Sequence, residues 1–330
     1  MFCVWCIIFY GDLMKTFIIS QNDASQRLDK FLTKACPMLP QSAMYKYIRK
    51  KRIKINGKRA EISSKLEIGD RIDLYINDDF FGTKTDSFSL CDIEPNLDIV
   101  YEDNNILIVN KPFGMVVHEN EGEKKNTLIN HIKAYLIRSE KYDPKVENSF
   151  APALCNRIDR NTAGLVIAAK NAEALRIINE KIKNHEIKKT YLCITTGIPK
   201  PAEGKIENYI WKDSSKNRVY IKKEKTQGAK PAVTLYKTLE AKDGLALLQV
   251  ELITGRTHQI RAHMAHIGCP LLGDGKYGKN EVNRRFKATH QALCAYSLRF
   301  SDDKATILSY LSGKCIELKN ATEIIGWAKK

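Results

Sequence analysis

Asp159 is the one acid in the run Asn156-Arg157-Ile158-Asp159-Arg160-Asn161-Thr162-Ala163-Gly164, and apolar Leu165-Val166-Ile167-Ala168-Ala169 follows it directly. A carboxylate flanked by Arg157 and Arg160 is biased toward its ionised form, which suits a nucleophile or a general base. The same spacing also fits a surface ion pair in a turn, so the segment alone leaves both readings open. Two other segments carry reactive residue types. Lys188-Lys189-Thr190-Tyr191 is a basic step into an aromatic at the mouth of a strand. Thr254-Gly255-Arg256-Thr257-His258-Gln259-Ile260-Arg261-Ala262-His263 passes through a glycine turn into a helix bearing Arg, His and Gln, and Gly273-Asp274-Gly275-Lys276-Tyr277-Gly278 is a further tight loop. Arg256 and Arg261 also suit phosphate contacts, and Tyr191 also suits a core. His258, His263 and His266 do not share the i, i+4 spacing that converges on one ion, and the lone C-x-x-C, Cys3-Val4-Trp5-Cys6, has no second pair; no metal site is expected.

The partner class follows from charge. Lys and Arg number 54 against 38 Asp and Glu, a net of +16, which points to a polyanion such as nucleic acid. Hydrophobic content of 43% and charged content of 28% exclude a disordered chain. Nine scattered cysteines fit reduced thiols in the cytoplasm better than a disulfide framework. The apolar stretch Phe2 to Tyr10 is too short to span a bilayer, which takes about 20 residues, and it lacks the marks of a cleaved signal. Translation is expected to begin at Met14, making residues 1–14 a non-structural extension.

The elements that must position these groups fall into two domains. Residues 15–77 hold 14 basic and 6 acidic residues, half the net charge in about a fifth of the length, and residues 41–60 hold eight basic residues and no acid. Leu28, Phe31 and Leu32 have helical spacing; Pro37 and Pro40 close that helix, and Ser42 is expected to cap a second one running to about Lys50. Ile53-Lys54-Ile55 alternates into an Asn56-Gly57 turn, and Gly69-Asp70 turns into Arg71 to Ile76. Residues 78–93 lack a period and are expected to be a linker. Residues 94–330 form the large domain, with strands at Ile106–Val109 and Tyr191–Thr195, helices at Leu128–Ile137 and Asn171–His185, and a hairpin across Asp243-Gly244. Strands outnumber helices, so the expected class is α+β with a mainly antiparallel, mixed sheet behind a small N-terminal α/β domain.

These motifs, in this order, make the chain resemble the RluA-like family of RNA pseudouridine synthases from about Asp98 to Phe300. The family's central motif, H-R-L-D-x-x-T-S-G, meets Asn156 to Gly164 here. Further matches are Asn110-Lys111-Pro112-Phe113-Gly114-Met115 with His118, Lys189-Thr190-Tyr191, Thr254 to His263, and Gly273 to Gly278. Departures are Asn156 for His, Ala163 for Ser, and Cys294 where His is common. Residues 15–77 resemble the alpha-L RNA-binding motif on Arg27-Leu28-Asp29, Ser42, Ile48-Arg49, Ile53 to Gly57 and Gly69-Asp70. Lys51 stands where that motif commonly has glycine, so a left-handed helix end there would cost on the order of 1 kcal/mol.

The resemblance implies that Asp159 is the catalytic carboxylate, that Arg261 pairs with it, and that Tyr191 lies beside the target base. Converting uridine to pseudouridine cleaves the ribose–nitrogen bond, turns the uracil and rejoins ribose at ring carbon 5, so no cofactor is expected. Whether Asp159 attacks the ring, attacks the ribose or abstracts a ribose proton stays open. The substrate would be structured RNA, ribosomal and of the large subunit, with the target base flipped from its stack. Arg49, Lys50, Lys51, Arg52, Lys54 and Lys58 of the front domain, and Arg157, Arg160, Arg256 and His258 of the large one, are the expected RNA contacts. A monomer without membrane attachment is expected. The alternative is a ribosome assembly factor that binds RNA on the same fold without the reaction. A glycoside-cleaving enzyme is a weaker reading, because one acid rather than two stands out in the key loop.

Overall fold

A computed structural model describes residues 14–81, 88–301 and 305–327. Residues 1–13, which hold the Cys3–Cys6 pair and all of the expected N-terminal extension but Met14, lie outside them, and Met14 opens the first strand. The chain divides into two compact units, Met1–Asp92 with Leu136–Ala151 and Asn171–Glu173, and Ile93–Tyr135 with Pro152–Lys170 and Ala174–Lys330.

In the first unit β1 (Met14–Ile18), α1 (Leu28–Ala35), α2 (Gln41–Arg49), β2 (Ile53–Ile55), β3 (Lys58–Arg59) and β4 (Arg71–Tyr75) form two helices and a four-stranded sheet in the order β1-β4-β2-β3. The helical spacing of Leu28, Phe31 and Leu32 puts all three on the buried side of α1, where they meet Met44 and Ile48 of α2. Arg27 forks onto Asp29, Nε to Oδ1 at 3.0 Å and Nη2 to Oδ2 at 2.9 Å, at the mouth of α1. Asn56 (φ 51°) and Gly57 (φ 71°) make the expected two-residue hairpin, whose strands need left-handed central residues to keep their twist. The expected cap on α2 is not found. Pro40, at φ −62° and ψ 142°, is the N-cap residue and no side chain caps the helix. Proline's fixed φ carries the chain into the helix two residues early, which leaves Ser42 inside the first turn.

The end of α2 does follow the sequence. Lys51 has φ 60°, its N–H reaches the Ile48 carbonyl at 3.0 Å, and the Arg52 N–H reaches the Tyr47 carbonyl at 3.0 Å. This is a Schellman closure with lysine in the position that favours glycine. Lys51→Gly is therefore expected to stabilise the protein by about 1 kcal/mol, read as a higher urea midpoint at unchanged m-value. A lower midpoint would contradict the assignment. Arg49, Lys50, Lys51, Arg52 and Lys58 are exposed, and half-buried Lys54 lies 5.2 Å over the Tyr75 ring.

The second unit is built on one large sheet. Its strands are β5 (Asp98–Glu102), β6 (Ile106–Lys111), β7 (Ala153–Leu154), β8 (Ala163–Ala169), β9 (Ile187–Thr196), β10 (Glu203–Asp213), β11 (Arg218–Lys222), β12 (Lys230–Lys242), β13 (Leu245–Leu252), β14 (Leu293–Phe300) and β15 (Cys315–Glu317). The order is β11-β10-β12-β13-β9-β14-β8-β6-β5, with β15 on β14 and β7 on β8. The unit's helices are the greater part of α3 (Leu128–Arg138) and of α4 (Ala172–Lys183), with α5 (Gln259–His266), α6 (Asn280–Arg285) and α7 (Ala321–Ile324). The class is α+β with mostly antiparallel pairing. Leu165 and Ile167 of β8, Ile106 and Ile108 of β6, Leu192 and Ile194 of β9 and Ala174 and Ile178 of α4 share one buried cluster.

One junction departs from the antiparallel rule: β14 and β8 run parallel, Cys294 opposite Ala163 and Ala295 opposite Gly164. Gly164 has φ 115°, and a Cβ there would strike the Ala295 carbonyl oxygen and come within 2.6 Å of its nitrogen. The glycine thus lets the strand leaving the Asp159 loop press against its neighbour.

Candidate active site

The Asp159 loop is held from several sides. Thr162 N–H closes a turn onto the Asp159 carbonyl at 3.0 Å, and the buried Gln291 amide reaches the Thr162 hydroxyl at 2.7 Å. Asn156 takes the Ile167 N–H on its Oδ1 at 2.8 Å, so the residue replacing the family's usual histidine ties the loop to β8. Lys111, at the end of β6, is fully buried and donates to the carbonyls of Pro112, Met115 and Arg160 at 2.7, 2.9 and 3.0 Å. Burial pushes its pKa down to about 7, against the pull of the Asp159 charge. The Gly114 N–H meets the same Arg160 carbonyl at 3.0 Å, while Arg160 Nε returns to the Gly114 carbonyl at 2.9 Å.

The ion partner of Asp159 differs from the one its flanking arginines suggest. Arg261 of α5, 102 positions along the chain, places Nη1 3.0 Å from Asp159 Oδ2. Neighbours in sequence need not face the carboxylate, and here the partner comes from α5. Arg261 also grips Asp274, Nε to Oδ2 at 2.7 Å and Nη2 to Oδ1 at 3.0 Å. Asp274 Oδ1 additionally accepts the Lys276 and Tyr277 N–H groups at 2.8 and 3.1 Å. Burial alone would raise the Asp274 pKa; the Arg261 bonds and charge overcome it and hold the carboxyl below its usual range. The Asp274 side chain is 0% exposed and that of Arg261 8%, whereas that of Asp159 is 29% exposed, so Asp159 is the acid a ligand can reach.

His258 precedes α5 in a left-handed conformation, φ 52°. Its Nδ1 is 3.0 Å from the Tyr277 hydroxyl and its Nε2 3.8 Å from Asp159 Oδ2. The Tyr277 hydroxyl also accepts the Val219 N–H at 2.9 Å. Gln259 anchors the approach to α5 by accepting from the Thr254 hydroxyl and Arg256 N–H and donating to the Val233 carbonyl and Thr234 hydroxyl. His263 is buried between Thr234 and Asn208 at 2.8 and 2.9 Å. The histidines thus engage separate partners, and among the described residues no cluster of three His, Cys, Asp or Glu is placed to hold a metal.

Burial first pushes both His258 and His263 down to about 4, the Asp159 charge opposing it at His258. Unfolded, each would take a proton near pH 6.5. Between about 6.5 and 4 the unfolded chain therefore holds more protons, and acidification through that window favours unfolding; above it these rings contribute no pH dependence. Stability is expected to fall by up to about 1.4 kcal/mol per pH unit for each ring. In urea titrations His263→Gln should flatten this slope, and an unchanged slope would contradict the account.

A cleft of about 370 Å³ opens over the acid, within the roughly 300–1,000 Å³ range of small-ligand sites. Asp159, Tyr191 and Arg261 all line it, with Arg157, Arg256, His258 and Lys189. Arg160 is absent from that lining. Tyr191 lies in β9 between Val250 of β13 and Ala295 of β14. Burial first, then the Asp159 charge, raises its pKa, so the phenol keeps its proton at neutral pH. Lys111, Asp274 and Tyr277 were not among the expected site residues, although all three stand inside quoted motifs. An acid between two glycines, Gly273-Asp274-Gly275, was the available signal for the second carboxylate.

Among known proteins, the chain is similar to RNA pseudouridine synthases. The family described as RNA pseudouridylate synthase matches residues 105–266, and the S4 domain matches residues 26–72. An uncharacterized RNA pseudouridine synthase of Mycoplasma capricolum is 35% identical over 93% of this chain and 98% of its own length. Ribosomal large subunit pseudouridine synthase C of Buchnera aphidicola is 32% identical over 86% of this chain and 88% of its own. The solved structure of human RNA pseudouridylate synthase domain containing 1 superposes with a TM-score of 0.51 at 25% identity, covering 71% of this chain and 85% of that one.

Proposed function

The chain belongs to the RNA pseudouridine synthase family, and on that premise we propose that it isomerises uridines of large-subunit ribosomal RNA with Asp159 as the catalytic carboxylate. The observation that carries the assignment is the clamp: Asp159 Oδ2 sits 3.0 Å from an Arg261 that is itself fixed on both carboxylate oxygens of buried Asp274. Such a clamp would fix the direction of the acid before substrate arrives. The ribosomal substrate is supported by the name of the Buchnera relative and by the S4 match in front of the catalytic unit.

A uridine within structured RNA reaches this cleft only by leaving its stack, at a cost of a few kcal/mol. Tyr191 would offset part of it by stacking on the uracil, about 1–3 kcal/mol for an aromatic–base contact. Arg157, Arg256 and His258 at the cleft, and the basic ridge Arg49, Lys50, Lys51, Arg52, Lys54 and Lys58 of the first unit, would hold phosphates. Asp159 then adds to the ring, adds to the ribose or removes a ribose proton while the glycosidic bond breaks. Tyr191, which keeps its own proton, would hold the ring in place while the proton on ring carbon 5 leaves to water. One chain carries the clamp and Tyr191 together, so the proposed chemistry needs no residue of a second copy. Free thiols at the seven described cysteines and an RNA substrate support a cytoplasmic setting.

Mapping pseudouridines chemically in ribosomal RNA from a strain lacking this gene, against its parent, tests the substrate. Loss of one or more large-subunit pseudouridines is expected. A map identical to the parent's would overturn the ribosomal assignment.

A further inference from the structure

The β10–β11 hairpin carries an outward face that the isomerisation site does not use. Ile210 and Val219 point inward to a small cluster with Ala232 and Ala262. Alternation along a strand therefore turns the pairs Trp211–Tyr220 and Tyr209–Lys222 outward. The Trp211 and Tyr220 rings lie 6.0 Å apart, and Tyr220 is 37% exposed although it is a large aromatic. From residue 211 to 225 there are six basic residues and two acidic ones. Arg218 bridges the surface to the active site, its guanidinium 6.0 Å from the Tyr220 ring and 5.1 Å from the Tyr277 ring. The hairpin is also held in place: Val219 N–H bonds the Tyr277 hydroxyl, and Lys276 Nζ bonds the Asn217 carbonyl at 2.6 Å.

We propose that the outer face of this hairpin binds a single-stranded RNA segment flanking the modified uridine, by stacking unpaired bases on Trp211 and Tyr220 while the surrounding lysines and Arg218 hold its phosphates. Accessible aromatics interleaved with cations, here exposed Tyr220 and half-buried Trp211, are what single strands select, because every base has a π-face and every linkage a negative charge. A duplex offers the same phosphates but keeps its bases stacked inside. The location fits, since Tyr277 joins the hairpin to His258 at the lip of the cleft. The proposal rests on the reading of the cleft as an RNA site and adds what lies beside it.

The test is a binding titration with a labelled short oligouridine, an abasic strand of equal length and a fully paired RNA duplex. The Trp211→Ala/Tyr220→Ala protein is expected to lose about tenfold or more in oligouridine affinity, and to bind the abasic strand and the duplex as the parent does. Trp211→Phe/Tyr220→Phe keeps the rings and should retain most of the affinity, which separates loss of stacking from loss of folding. Equal weakening toward all three ligands, or no weakening toward oligouridine, would overturn the proposal. Asp159→Asn should bind all three normally, so failure of the catalytic assignment and failure of the hairpin assignment are read independently.

Discussion

Asp159→Asn is expected to lower pseudouridine formation by on the order of 10⁴-fold or more, the scale seen when a group that carries the chemistry is removed. Asparagine has nearly the same shape and its carbonyl oxygen can still accept from Arg261 Nη1, so the clamp on Asp274 should remain intact. What disappears is the negative charge that attacks or takes a proton. RNA affinity should stay within about threefold or rise slightly, because binding is dominated by phosphate contacts and the lost carboxylate faces a polyanion. Primer-extension mapping of product, beside a binding titration, checks both halves. Tight binding without product is the expected pair of results; weak binding with normal turnover of bound RNA would assign Asp159 to recognition.

Arg261→Met is expected to remove activity and to destabilise the protein by about 3–5 kcal/mol, because it leaves the fully buried Asp274 carboxylate without its counter-charge. Asp274 contributes stability above the unfolded carboxylate pKa of about 3.9, and that contribution fades as pH falls below it. Adding Asp274→Asn to Arg261→Met should recover part of the stability, since the buried charge is gone, and none of the activity, since Asp159 still lacks its clamp. Urea unfolding of the single and double variants gives the stabilities. A double variant as unstable as the single one would show that the cost lies elsewhere.

The sequence made the Asp159 loop and the α5 segment legible because their residue types are rare in combination and contiguous. Turns were legible where chemistry dictates them, as at Asn56-Gly57 and Asp243-Gly244, all four with positive φ. Convergence was harder. Arg261 and Asp159 are 102 positions apart, and only the antiparallel β9–β13 pairing with the parallel β14–β8 junction brings them together. Lys111 read as the end of a strand, since nothing local shows that its ammonium turns inward onto three carbonyls. The β10 strand was missed for a periodic reason: its buried residues, Ile206 and Ile210, are four apart, a spacing that fits a helix as well as a strand. The Ser42 cap failed because a proline two residues earlier set the helix start first.

The most direct test of the clamp as a catalytic device uses RNA with tritium on carbon 5 of its uridines, incubated under single-turnover conditions. Wild-type protein should release tritium to water as the ring is rejoined to ribose. Asp159→Asn, matched for folding and RNA binding, should release none above background. Tritium release by that variant at the wild-type rate would contradict the account.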